Sequence, residues 1–551
     1  MFSTFNGAST ARSRIADLVS TYGDPEAGAA DLLCDRHPPD AIALTTLTQD
    51  GAATDVSFGE LREESERIAA VLRQHGIEPG DRVATLMGKS TELVAVMLAA
   101  WRIGAVYVPL FTAFGPHAIA SRLADTQTAL LVVDADQRAK LEPGPDVPAE
   151  SSWTTIVNGA AADGLSLQQQ VAAVEPHRRP AFRGGGGFPL VHMLTSGTTG
   201  KPKGVVHPLS YVAGWVAYQE FALDVRPEDR FWSAADPGWA YGLYTAIVAP
   251  LATGIRSHLQ LGNFSPAAAL AVLADRGITN FAAAPTAFRA MAALAADSGH
   301  VHLRCASSAG EPLTPDVNEW APGALGTPVR DHYGQTELGM TLGNVHHAEL
   351  RRSIKPGCMG QALPGWSLTV LTEDRDEPAA PGVVGRLAVD VAASPLMTFE
   401  GYFPPAGDKF TSDHRYYLTG DAAEVDEDGD FHFSSRDDDV IIMAGYRIGP
   451  FDVESVLVQH DAVRECAVIG VPDPARGEVI EAVVVLADGA AGSSALAEEL
   501  QLFVKQRYAA HAYPRHVTFV DALPRTPSGK VQRFTLREQR RQASRDAERH
   551  A

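Results

Sequence analysis

Thr195-Ser196-Gly197-Thr198-Thr199-Gly200-Lys201-Pro202-Lys203-Gly204 is the stretch on which the reading of this chain turns. It follows an apolar run, residues 190–194, that reads as a buried strand. Three glycines let backbone N–H groups approach an anion closely, four hydroxyls add donors, and Lys201 and Lys203 add positive charge. A short Gly/Ser/Thr cluster is ordinarily a solvated turn. Here ten consecutive residues are all small, hydroxylated, basic or proline, which suits a polyphosphate better. The glycines flanking Thr198 and Thr199 are too close for the spacing of a P-loop NTPase. Leu194 stands where a hydrolase elbow carries its first glycine, which disfavours Gly-x-Ser-x-Gly chemistry.

With 551 residues the chain is too long for one core, and about three or four domains or subdomains are expected. Apolar residues make up 45% and charged residues 21%, an ordinary globular balance. Sixty-seven acidic side chains against 46 Lys plus Arg give a formal charge of −21. That surface repels nucleic acid and anionic membranes, so an anionic substrate must meet a local basic site. Cys34, Cys305, Cys358 and Cys466 are widely spaced, which suggests neither a zinc site nor a disulfide framework, and a reducing cytoplasm is the expected setting. Residues 1–17 lack the apolar core of a signal peptide, and the apolar run 93–101 is too short to span a bilayer.

Apolar periodicity predicts an amphipathic helix over 58–74, a strand over 82–87, a helix capped by Ser90 or Thr91 and running to 103, and strands over 105–109 and 129–133. This alternation predicts parallel α/β layering. The Pro/Gly/Ala/Gln-rich segment 137–187, with its run Gly184 to Gly187, reads as a connector that contributes no core. Helices over 209–223 and 241–251 and strands over 231–234, 278–283 and 303–307 make a second α/β layer. Short apolar runs between turns over 365–391 suggest a β-rich subdomain, and 450–505 reads as a small α+β domain. The charged tail 537–550 shows no apolar stripe and reads as a solvated or frayed helix.

The decapeptide resembles the phosphate loop of the adenylate-forming superfamily, which comprises acyl-CoA synthetases, aryl-CoA ligases, nonribosomal adenylation domains and luciferases. The match runs from about residue 58 to 537, with further motifs in the family's order. Gly310-Glu311-Pro312 resembles the loop lining the adenine pocket. Tyr333-Gly334-Gln335-Thr336-Glu337 resembles the motif whose aromatic stacks on adenine, whose threonine meets the α-phosphate and whose glutamate supports magnesium; the residue types suit those tasks. Leu418-Thr419-Gly420-Asp421 resembles the segment whose aspartate accepts from the ribose hydroxyls, and Arg436 matches an arginine reaching ribose or phosphate. Asp438 falls at the family's hinge. Ala444-Gly445-Tyr446-Arg447-Ile448-Gly449 resembles the segment beside the pantetheine channel, and Pro524-Arg525-Thr526-Pro527-Ser528-Gly529-Lys530 the loop whose lysine serves adenylation. On composition alone these would be surface turns with exposed charges. Ala235-Asp236-Pro237-Gly238-Trp239 and Ile354-Lys355-Pro356-Gly357 add to a pattern most similar to medium-chain acyl-CoA synthetases.

The resemblance implies an α/β fold: a large N-terminal region (1–437) of two α/β subdomains plus a β-rich subdomain, then a small α+β domain (438–551) that rotates about Asp438. It implies ATP and coenzyme A as co-substrates, Mg2+, and a small carboxylic acid, with no nucleic-acid partner, no membrane span, and homo-oligomerisation left open. Thr195, Ser196, Gly197, Thr198, Thr199, Gly200, Lys201, Lys203, Gly310, Glu311, Pro312, Asp331, Tyr333, Gly334, Asp421, Arg436 and Arg447 would bind ATP or AMP. Lys530, Thr336 and Glu337 would be catalytic, with Glu337 on the metal. Gly445 and Tyr446 would line the coenzyme A channel, and Trp239 and Gly334 the acyl pocket. The expected function is AMP-forming synthesis of a short- to medium-chain acyl-CoA. An aryl-CoA ligase, a carrier-protein-loading enzyme and a non-catalytic nucleotide-binding regulator stand as alternatives.

Overall fold

A computed structural model describes residues 7–161, 166–195, 202–294, 301–405, 407, 409–436, 439–443, 446–473, 477–508, 512–526 and 530–550. Two large sheets and one small one carry the chain. The six-stranded sheet has the order Thr154–Asn158, Thr128–Asp134, Arg82–Leu86, Val106–Pro109, Pro189–Thr195, Lys203–Pro208. All its pairings are parallel except the last, where the strand before the glycine-rich loop turns back antiparallel.

Helix Phe58–Gln74 starts with a reciprocal cap: Ser57 Oγ accepts from the Glu60 N–H, and the Glu60 side chain accepts from the Ser57 N–H. Helix Thr91–Arg102 is capped by Ser90, whose Oγ accepts from Leu93 N–H at 3.0 Å. Its residues from Leu93 to Arg102 are all buried, so this apolar run is a core helix, and its length and flanks agree. Arg102, 2% exposed, is tolerated there because its guanidinium meets both oxygens of Asp35 at 2.8 Å.

The segment 137–187 departs from the expectation of a coreless connector. It contributes strand Thr154–Asn158 to the sheet edge and helix Leu167–Ala172. Its glycines are contact points: a Cβ on Gly186 would lie 2.4 Å from Gly23 Cα, and one on Gly185 2.6 Å from the Pro25 carbonyl. Gly185 and Gly186 lie directly on the backbone that leaves helix Gly7–Gly23, where a side chain would clash.

The expected β-rich subdomain is present, with a core of its own around Met359, Val370, Leu387 and Phe431, and it is continuous with the second α/β layer. Strands Leu368–Leu371, Gly385–Asp390, Tyr416–Val425, Phe431–Arg436 and Cys358–Ala362 continue, through Gly339–Gly343 and Val329–Gln335, into the parallel strands Cys305–Ala309, Asn280–Ala283, Phe231–Ser233 and Ser257–Gln260. With Ile42–Leu47 and Ala53–Ser57 they form one sheet of 13 strands. Local turn spacing announced the antiparallel strands; their junction is a non-local pairing that no short window contains.

A five-stranded sheet of Tyr446–Ile448, Ile441–Met443, Gly477–Leu486, Val463–Asp473 and His516–Phe519 packs with helices Pro450–Leu457 and Ser494–Arg507 around its own core. The terminal helix Arg533–His550 is docked rather than solvated throughout. Leu536 is buried, Arg537 pairs with Asp439 at 2.8 Å and Arg540 with Glu481 at 2.6 Å. Ion pairs hold this helix, which is why a search for an apolar stripe passes over it.

Candidate active site

The strand pairing that frames the glycine-rich loop brings Thr195 opposite Lys203, and Thr195 Oγ1 donates to the Lys203 carbonyl at 3.4 Å. Ser196, Gly197, Thr198, Thr199, Gly200 and Lys201 lie outside the described residues. Gly204 is the next fixed point. Its carbonyl accepts from Phe403 N–H at 2.8 Å, and a Cβ on it would stand 2.0 Å from the Phe403 carbonyl and 2.6 Å from His192 Nε2. A strap around residues 402–409 therefore crosses the base of the loop.

The strap delivers Tyr402, whose hydroxyl donates to Glu337 Oε1 at 2.7 Å and whose ring lies 4.8 Å from Lys203 Nζ. Among the described residues, Glu337 Oε2 has no partner. Next to it, the Thr336 carbonyl accepts from His207 Nε2 at 2.7 Å and from the Tyr211 hydroxyl at 2.8 Å. Burial pushes the His207 pKa down to about 3, so the ring is neutral. The tautomer follows: Nε2–H donates to Thr336 while Nδ1 accepts from the Tyr244 hydroxyl at 2.9 Å. Tyr211 stacks on the imidazole, centroids 4.0 Å apart. His207, Tyr211 and Tyr402 sit among ordinary apolar patterns, and no motif marks them.

Asp421 is 4% exposed and surrounded by donors. Tyr333 donates its hydroxyl at 2.5 Å and Gln335 its amide at 2.7 Å, both to Oδ2, while Arg436, its partner across the strand pair, stands 3.8 Å from Oδ1. Gly420, at φ 77°, makes the bulge in strand Tyr416–Val425 that presents this carboxylate, and Thr419 Oγ1 braces it by accepting from Asp421 N–H at 3.1 Å. Gln335 also donates to the Thr419 carbonyl at 2.9 Å and accepts from the Tyr417 hydroxyl at 3.2 Å. It belongs to the same network, although it was not among the expected site residues.

Gly310, at φ 106°, opens the Gly310-Glu311-Pro312 loop. Glu311 Oε1 accepts from Thr286 N–H at 3.2 Å and faces Arg289 at 3.4 Å. Leu313 N–H, just beyond the loop, donates to Asp331 Oδ2 at 3.3 Å. Asp331 Oδ1 is buried without a partner among the described residues, and burial raises this carboxyl to about 8. An unpaired buried acceptor of this kind invites a ligand donor.

Lys530 comes from the small domain. Its turn is closed by Thr526 N–H to the Lys530 carbonyl at 2.7 Å and by Lys530 N–H to Thr526 Oγ1 at 3.0 Å. The residue is exposed; the surrounding protein and Arg436 lower its ammonium pKa, while the carboxylates of Glu311, Asp421 and Glu337 favour its charged form. Five expected site residues, Lys530 from the small domain and Glu311, Glu337, Asp421 and Arg436 from the large one, thus share one electrostatic neighbourhood.

Other expected residues stand apart or undescribed. Trp239 packs on Phe111 at 5.4 Å and Phe114 at 5.7 Å, with its buried Nε1 unpartnered among the described residues. Gly334 lies against Gly339 and Met340: a Cβ on it would be 2.1 Å from the Gly339 carbonyl and 2.8 Å from Met340 Sδ. Tyr446 and Arg447 lie on strand Tyr446–Ile448, with side chains outside the described set; Asp438 and Gly445 lie outside it altogether. The acidic group Asp426, Asp428 and Asp430 is met by the Lys355 ammonium at 2.5, 2.7 and 2.7 Å, so its charge serves a clasp between loops.

Comparison with known proteins identifies the family. Residues 33–403 match the AMP-binding enzyme family and residues 452–530 the AMP-binding enzyme C-terminal domain. The chain is 37% identical over 498 residues to acetyl-coenzyme A synthetase of Bacillus subtilis (strain 168), covering 87% of this chain and 84% of that protein. It is 33% identical over 503 residues to the mitochondrial acyl-coenzyme A synthetase ACSM3 of Rattus norvegicus, covering 89% and 85%. The crystal structure of an acyl-CoA synthetase from Brucella canis superposes with a TM-score of 0.74 at 40% identity, covering 98% of this chain and all of that one.

Proposed function

The chain belongs to the AMP-binding enzyme family and is an AMP-forming acid–thiol ligase of the acyl-CoA synthetase type, and from that premise we propose which acid it takes and how its residues divide the work. The acid is a short- to medium-chain monocarboxylate, a reading the acetyl-CoA synthetase relative supports at its short end. One arrangement carries the assignment of roles: the Tyr402 strap joins Gly204 of the glycine-rich loop to Glu337, while Tyr333 and Gln335, from the same motif as Glu337, hold Asp421.

In the first half-reaction a carboxylate oxygen attacks the α-phosphorus of ATP, the bond to pyrophosphate breaks, and an acyl-adenylate forms. Two anions must meet. The Lys530 ammonium bridges them and offsets their mutual repulsion in the transition state. Asp331 Oδ1 accepts from the exocyclic amine of adenine, with the Gly310-Glu311-Pro312 backbone and the Tyr333 ring walling the base. Asp421 accepts from the ribose hydroxyls, held in place by Tyr333, Gln335 and Arg436. Thr195, the loop 196–201 and Lys203 take the β- and γ-phosphates, and Thr336, its backbone clamped by His207 and Tyr211, offers its hydroxyl to the α-phosphate.

A lone hard carboxylate oxygen beside a polyphosphate site fits Mg2+, which binds through few protein ligands and several phosphate oxygens. Glu337 is the residue we assign to hold it, and the metal would neutralise charge on the departing pyrophosphate. In the second half-reaction the coenzyme A thiol sulfur attacks the acyl carbonyl and AMP departs. For this step we assign Asp438 as the hinge between residues 1–437 and 438–551, Gly445 and Tyr446 to the thiol channel, and Arg447 to phosphate. Trp239 and Gly334 are assigned to the acyl pocket; Met340 fills the space that a side chain at 334 would take. Four buried free cysteines suit a reducing compartment, and we place the enzyme in the cytoplasm. Among the described residues, no helix is long and apolar enough to cross a membrane.

The test is pyrophosphate release with ATP and Mg2+ across straight-chain acids from acetate to decanoate and with benzoate, each with and without coenzyme A. Thioester formation from short and medium aliphatic acids supports the assignment. Turnover confined to benzoate, or pyrophosphate without thioester, replaces it with an aryl-CoA or carrier-loading ligase.

A further inference from the structure

The strap that brings Tyr402 to Glu337 carries a second polar side chain toward the same place. Lys409 lies on it after Pro404, Pro405 and Gly407, in a stretch whose composition marks only a turn. Its carbonyl accepts from Leu418 N–H at 2.6 Å, which fixes it against the strand leading to Asp421. Its ammonium reaches the Thr419 carbonyl at 3.5 Å, a long contact. A Cβ on Gly420 would lie 2.8 Å from Lys409 Nζ, so the residue that makes the bulge before Asp421 also leaves room for this cation.

The charges around Lys409 are those of the site. Glu337 and Asp421 attract it, while Arg436 and Lys203 repel it, and desolvation lowers its pKa. Among the described residues no carboxylate lies within ion-pairing distance of it. Of the two nearby acids, Asp421 is held by Tyr333 and Gln335, and Glu337 by Tyr402 through Oε1 alone. A half-buried ammonium near two other cations, with one weak carbonyl contact among the described residues, is costly unless an anion joins it. Lys203, on the same side, belongs to the framework of the glycine-rich loop.

We propose that Lys409 is a polyphosphate-binding residue of this site, contacting the β- and γ-phosphates of ATP, and later free pyrophosphate, together with Lys203. This rests on the nucleotide-site reading above. It adds a cation from the strap, outside the glycine-rich loop, that acts on the leaving group and not on the nucleoside. A residue that merely braced the Thr419–Asp421 bulge would affect AMP and ATP alike.

Calorimetric titration of the full-length wild type, Lys409→Met and Lys409→Arg with ATP, AMP and pyrophosphate, each with Mg2+, separates these roles. We expect Lys409→Met to bind ATP and pyrophosphate about tenfold more weakly, the loss typical of one charge-assisted hydrogen bond, with AMP affinity unchanged and Lys409→Arg recovering most of it. A melting profile matching the wild type shows that Lys409→Met is folded. Equal weakening of AMP, or unchanged pyrophosphate affinity, overturns the role of Lys409 and leaves the site reading standing. A wild type that binds neither ATP nor AMP overturns both.

Discussion

The Tyr402 hydroxyl donates to Glu337 Oε1 at 2.7 Å, across 65 residues of sequence. The strap bearing Tyr402 also bonds Gly204, which follows the phosphate loop, so loop and glutamate are tied to each other through a segment that itself carries no recognised motif.

Tyr402→Phe keeps the ring under Lys203 and removes only the bond to Glu337. A hydrogen bond to a charged group contributes about 1.5–3 kcal/mol, so kcat/KM for ATP should fall about ten- to a hundredfold. The Mg2+ concentration giving half-maximal rate should rise, which initial rates over a Mg2+ series at fixed ATP will check. An unchanged Mg2+ dependence would separate Tyr402 from the metal.

Gly204→Ala introduces a methyl 2.0 Å from a backbone carbonyl, a contact that no side-chain rotation relieves. The strap must shift, and a destabilisation of about 1–3 kcal/mol is expected, the usual cost of overpacking. Urea denaturation should show it, with ATP affinity falling in step because Tyr402 moves with the strap.

Asp331 supplies a pH test. Its carboxyl is raised from 3.8 to about 8 by burial, so the folded protein holds a proton there that the unfolded chain releases near pH 4. The stabilising contribution is complete below the unfolded value and is lost as pH rises through about 8. Asp331→Asn removes this dependence. Its urea midpoint should decline less than that of the wild type between pH 5 and 9, roughly the window in which the two states differ in protonation. Parallel declines would mean that Asp331 is ionised in the folded protein across this range.

Legibility in the sequence followed the range of the interactions. Helix Phe58–Gln74 and the Ser90 cap are local events, and periodicity with capping chemistry sufficed to find them. The motifs around Thr195, Tyr333, Asp421 and Lys530 were legible because each compresses its chemistry into a few residues. Tyr402, His207, Gln335 and Lys409 act through partners between 10 and 129 residues away, and their neighbours in sequence say nothing of it. The glycines at 184–186 show the same limit from the other side. A run that reads as slack chain has Gly184 against the Phe182 and Phe188 rings, and Gly185 and Gly186 in close contact with the backbone of residues 22–25.

The central claim is that Lys530 serves adenylation and not thioester formation, and Lys530→Ala divides the two most directly. Pyrophosphate release from ATP and the preferred acid is measured beside thioester formation from coenzyme A and a supplied acyl-adenylate. The account predicts a loss of about a hundredfold or more in the first, as expected for removing a charge that acts in the transition state, with the second retained. Equal loss of both, or adenylation that persists, would contradict it.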